Sequence, residues 1–143
     1  MPLNNQLIQI WIDLPGREYQ ETFQATPLSK SLFQIREIPF IADKVNYMDV
    51  VRCQEVGEGP RKVLEVFKSS GYATIYLMFA EHTPKELIGQ YLHLLLQKGT
   101  TYRRSGLRAF SINISYAAAE NIKMLLQKAN SQANSILNLT TKQ

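Results

Sequence analysis

The apolar residues of this 143-residue chain repeat with two different periods, and the changeover near residue 81 restricts the folds open to it. Before that point the apolar positions alternate, as a pleated strand requires. Beyond it they recur mainly every three or four residues, as a helix requires. Ile8, Ile10 and Ile12 predict a strand over Leu7–Asp13, ended by Leu14-Pro15-Gly16. Further strands are expected over Glu21–Ala25, stopped by Thr26-Pro27, and over Ser31–Ile38, stopped by Pro39. Tyr47–Glu55 is β-branched at its centre. Lys62–Ser69 and Tyr72–Ala80 read as a hairpin about Ser70-Gly71. Tyr72–Phe79 is apolar on both parities, which predicts a central strand covered on both faces.

Thr83-Pro84-Lys85-Glu86 predicts a helix start, with Thr83 as the cap, Pro84 in the first turn and Glu86 reaching back. Leu87, Ile88, Tyr91, Leu92 and Leu95 form its apolar stripe, and Gly99 ends it. Leu107–Ile114 alternates again. A second helix starts at Ser115 and buries Ala118, Ile122, Leu125, Leu126 and Ala129, and the polar residues beyond Asn130 extend it and fray. The expected class is α+β: a curved, mostly antiparallel sheet of about six or seven strands, with two C-terminal helices packed on one face. A chain of this length can form one core without staples, so residues 1–143 are read as one domain. Residues 1–80 are mainly β, 81–130 helix–strand–helix, and 131–143 a polar tail.

Charge is distributed unevenly. Residues 1–66 hold nine acids and seven bases, a net of −2, and residues 67–143 hold three acids and nine bases, a net of +6. Such asymmetry suits docking against a charged partner. Cys53 is the only cysteine, which excludes an internal disulfide and suggests a reducing compartment. No run approaches the ~20 apolar residues of a membrane span. The first residues lack the basic segment and cleavage site of a secretory signal. The expected location is the cytoplasm, with no membrane partner.

Few residues offer chemistry. His82 and His93 match no zinc spacing, so no metal or cofactor is expected. The glycines form neither a P-loop nor a dinucleotide fingerprint, and Glu58 in Gly57-Glu58-Gly59-Pro60 would repel phosphate. Cys53 could join His82 and a carboxylate in a nucleophilic set, or lie buried and inert. Asp49 could pair with Arg52 or a partner, or cap a turn through its own backbone. Arg103-Arg104-Ser105-Gly106-Leu107-Arg108, with Lys98 and Tyr102 nearby, is the one concentrated basic element. It suits phosphate, RNA or an acidic protein, or simply a solvated loop.

Ile38-Pro39-Phe40, Val45 and Tyr47-Met48-Asp49-Val50-Val51-Arg52 form one motif, and Phe67-Lys68-Ser69-Ser70-Gly71-Tyr72-Ala73-Thr74-Ile75 a second. Together they resemble a family of short bacterial proteins catalogued only as a domain of unknown function. The family commonly carries glycine where this chain has Met48, and histidine where it has Tyr72. The resemblance implies a shared α+β fold and supplies no activity. Analogy with other orphan families of this size suggests a non-enzymatic protein-binding module, an immunity protein that neutralises a bacterial toxin domain. Asp43, Asp49, Glu55 and Glu58 would then face a basic toxin. The alternatives are a nucleic-acid-binding regulatory domain using Lys98, Arg103, Arg104 and Arg108, and a small enzyme using Cys53 or His82.

Overall fold

The computed structural model describes residues 6–16, 18–55, 58–133 and 135–142. Among them are nine strands and two helices, an α+β fold. The chain divides into two compact units, Met1–Tyr72 and Ala73–Gln143. The strands therefore belong to two sheets, where alternation alone suggested one curved sheet. Period two identifies a strand but not its neighbour.

The first unit is a five-stranded barrel. Its strands are β1 (Ile8–Asp13), β2 (Gln20–Pro27), β3 (Leu32–Ile35), β4 (Val50–Cys53) and β5 (Arg61–Lys68). Each pairs antiparallel with the next, and a short parallel contact, Ile10 with Arg61 and Trp11 with Lys62, closes β1 on β5. Inward parity places Ile10, Phe23, Ala25, Phe33, Ile35, Val51 and Val63 in one apolar core.

The second unit runs from Ala73 of β6 (Tyr72–Phe79) through α1 (Lys85–Gln97), β7 (Thr101–Arg104), β8 (Ala109–Ser115) and α2 (Tyr116–Ala133) to β9 (Ile136–Lys142). Its sheet order is β7-β8-β6-β9, the split βαβ sandwich. Ala73, Ile75, Leu77 and Phe79 of β6 and Phe110, Ile112 and Ile114 of β8 pack against Ile88, Leu92 and Leu95 of α1 and Ile122 and Leu126 of α2. Phe79 meets the rings of Tyr91 and Phe110 at 5.4 and 6.0 Å between centroids. Gly99, with φ 85°, follows α1 as expected.

Four sequence expectations are corrected. The expected polar tail contains strand β9, because the outer edge of β6 needs a ladder partner and residues 136–142 supply it. Asn130 sets the reversal into β9: its Oδ1 accepts the Ser135 and Ile136 N–H groups, each at 2.7 Å. The short edge strand β7 was not anticipated. Thr83 is not the cap of α1; Pro84 holds that place without a side-chain bond. The buried Thr83 hydroxyl instead donates to the Ser135 carbonyl at 3.1 Å, which also accepts the Ala80 N–H at 2.8 Å. Finally, β5 and β6 enter different sheets and form no hairpin. Gly71, with φ 86°, makes a turn there, but Ser70 is tied to an earlier segment.

Candidate functional site

That tie is where the two motifs meet. Asn46–Asp49 is a β-turn closed by the Asp49 N–H on the Asn46 carbonyl at 3.1 Å, and Met48 occupies its left-handed position with φ 69°. Asp49 is 2% exposed. Its Oδ2 accepts the Asn46 N–H at 2.9 Å and its Oδ1 the Ser70 N–H at 2.8 Å. The Ser70 hydroxyl donates to the Tyr47 carbonyl at 2.7 Å. The rings of Tyr47 and Tyr72 lie 5.8 Å apart, tilted by 53°.

Glu21 performs a similar task. It shares the inward parity of Phe23 and Ala25 and is 7% exposed. Its carboxylate accepts the N–H groups of Phe40 (2.6 Å), Ile41 (2.8 Å) and Ala42 (2.7 Å). One side chain thus fixes the stretch beyond Pro39 by charge-assisted bonds. Sequence reading gave Glu21 no role, because its three donors lie about twenty residues away. Its only local signal is a charge at an inward position of a strand.

These bonds alter the expected acidic surface. Asp49 points inward, and both its oxygens serve the backbone. Asp43, Glu55 and Glu58 are exposed, Asp43 on the β3–β4 connection and the other two on the β4–β5 connection. Two further acids of the barrel are paired: Asp13 with Lys62 at 3.2 Å and Glu65 with Arg52 at 2.8 Å.

Cys53 lies in the barrel core at 1% exposure. Burial pushes its thiol up to about 11, partly offset by the Arg61 guanidinium. Arg61 stands 5.4 Å from the centroid of the Phe33 ring. His82 is exposed just beyond β6, and His93 is exposed on α1 with Gln97 Nε2 at 3.2 Å. Among the described residues, no three His, Cys, Asp or Glu side chains group closely enough to hold a metal ion.

The basic residues separate by role. Arg108 is half-buried, and its Nη1 donates to the carbonyls of Thr83 at 2.8 Å and Ala80 at 3.3 Å. It holds the segment between β6 and α1. Arg103 is half-buried in β7. Lys98 and Arg104 are exposed, and the Arg104 guanidinium lies 5.1 Å from the Phe110 ring centroid. Tyr102 packs its edge on Phe110 at 5.8 Å while 37% exposed, and Leu107, at the tip of the β7–β8 hairpin, is 87% exposed. The hairpin therefore presents apolar and cationic groups side by side, a combination the basic run alone did not indicate.

The model of DUF4265, a domain of unknown function, matches residues 21–136. The chain belongs to this family. The match starts at Glu21 and spans both motifs, so the buried junction just described lies inside the family's domain. Met48, inside the matched residues, holds a φ of 69°, a region that only glycine enters without a Cβ penalty. A hypothetical protein from Neisseria gonorrhoeae has a similar solved structure, with a TM-score of 0.72 and 21% identity, over 94% of this chain and 93% of that one. This likeness shows the fold. No curated protein matches the sequence. No helix among the described residues is long and apolar enough to cross a membrane.

Proposed function

We propose that this chain is a non-enzymatic protein-binding module that engages an acidic partner through the basic hairpin of its second unit. One observation carries the reading. No acid occurs between Glu86 and Glu120, and within that interval Lys98 is exposed at the end of α1 and Arg104 on the β7–β8 hairpin, which also exposes Tyr102 and Leu107. The second unit as a whole has eight bases against three acids, a net of +5. Such a surface steers an acidic protein toward it and offers apolar contact on arrival. The acidic half supports binding less well, because Asp49 and Glu21 are spent on backbone donors. An immunity protein that neutralises a bacterial toxin domain is the most concrete form of this function, one in which the toxin presents an acidic face. Cys53 supports the non-enzymatic reading, since a core thiol held near 11 is a poor nucleophile at neutral pH.

The test is cross-linking in the native host, followed by binding of the purified partner. Charge reversal of Lys98 and Arg104 should weaken binding by about tenfold or more, mainly through slower association at low salt. Reversal of Asp43, Glu55 and Glu58 should leave it nearly unchanged. The opposite pattern would move the interface to the barrel. A nucleic-acid ligand whose affinity falls steeply with salt would replace this function with the nucleic-acid alternative.

A further inference from the structure

We infer that the outer edge of β7 receives an extended acidic peptide segment by strand addition; the inference rests on the binding function above and specifies its occupant. β7 ends the sheet order β7-β8-β6-β9, so among the described residues one of its edges has no strand beside it. Its register with β8 pairs Thr101 with Asn113, Tyr102 with Ile112, Arg103 with Ser111 and Arg104 with Phe110. Toward the tip, the Ser105 N–H donates to the Ala109 carbonyl at 2.9 Å. Hydrogen-bonded and non-hydrogen-bonded pairs alternate along an antiparallel ladder. Stepping back from Ser105 by twos, Arg103 and Thr101 turn their backbone groups toward β8. Tyr102 and Arg104 therefore turn an N–H and a C=O outward, in the spacing an added strand requires.

The side chains around this edge select the occupant. Arg104 and Lys98 are exposed cations, and no acid lies in the sequence between Glu86 and Glu120 to neutralise them. A carboxylate-bearing strand gains at each of them, whereas a second copy of the same edge would set cation against cation. Exposed Leu107 and Tyr102 offer apolar contact to alternate residues of the incoming segment. A phosphodiester backbone fits this edge less well, because it has no donor for the outward carbonyls of Tyr102 and Arg104.

The probe is a synthetic octapeptide of alternating Glu and Val, titrated into the full chain and followed by amide resonances and hydrogen exchange. It should bind and protect the Tyr102 and Arg104 amides. Tyr102→Pro removes an outward donor together with the ring and should weaken binding about tenfold, while Tyr102→Ala, which removes the ring and keeps the N–H, should weaken it clearly less. A peptide N-methylated at alternate residues checks the same point without altering the protein. It keeps the charge but loses the ladder and should fail to bind. Equal binding of the methylated peptide would overturn strand addition and leave recognition of an acidic protein standing. Protection confined to other amides would overturn the choice of edge. Absence of binding at peptide concentrations on the order of 1 mM would overturn the inference as a whole. Tighter binding of oligouridylate to the same amides would overturn both the inference and the function on which it rests.

Discussion

Several side chains that look chemical in the sequence are structural. Cys53 illustrates this through its ionisation. Its thiol titrates near 11 in the folded barrel against an ordinary value of 9.0. Below pH 9 both states hold the proton, so Cys53 adds no pH dependence. Between pH 9 and 11 the unfolded chain loses its proton while the folded chain keeps it, so stability falls as pH rises. Relative to Cys53→Ala, the native chain should lose on the order of 2 kcal/mol across that window, read from urea midpoints at each pH. Met48 gives a prediction of opposite sign. A non-glycine residue at φ 69° is strained, so Met48→Gly should raise stability by up to about 1 kcal/mol in thermal unfolding. A fall in melting temperature would mean that contacts of the half-buried methionine outweigh the strain. A buried Cys53 and a turn-capping Asp49 were among the readings open to the sequence, but the left-handed backbone of Met48 and the distant Ser70 donor to Asp49 were not.

Among the elements, the β7–β8 hairpin and the segment between β6 and α1 show how a basic run divides its labour. Arg104 and Arg108 look equivalent in the sequence, yet Arg108 holds the carbonyls of Ala80 and Thr83. Arg108→Gln should therefore cost about 1–3 kcal/mol in chemical denaturation, through lost charge-assisted bonds to carbonyls left without them. Arg104→Gln should change stability by no more than about 0.5 kcal/mol, as an exposed substitution does. Equal costs would mean that the Arg108 bonds contribute little. Helix α1 was legible from its apolar stripe and Gly99, and β8 from alternation. β7 was missed because four residues of Thr, Tyr and Arg carry no period. β9 was missed because its polar composition conceals a strand whose worth lies in completing the β6 ladder.

For the whole molecule, each of the two units buries a cluster of its own, and different signals report on them. Trp11, the only tryptophan, belongs to the barrel, whereas both helices belong to the second unit. Glu21→Gln leaves three backbone donors facing an amide that offers only one acceptor, and should cost about 2–3 kcal/mol. Its urea midpoint should shift further by Trp11 fluorescence than by helical circular dichroism. Equal shifts would show that the units unfold as one. The amino-acid sequence by itself determined most of the strands, both helices and the α+β class. It also determined family membership, carried by motifs readable in the chain. These properties follow from local stripes of apolar residues and turn residues, which report burial over a few neighbours. Only the tertiary structure decided that the strands form two sheets, and that Glu21 and Asp49 turn inward while Lys98 and Arg104 face out. The Ser70 N–H lies 21 residues from Asp49, the Phe40 N–H 19 from Glu21, and the Thr83 carbonyl 25 from Arg108. A periodic pattern carries no information about which donor, so far along the chain, will meet a given carboxylate.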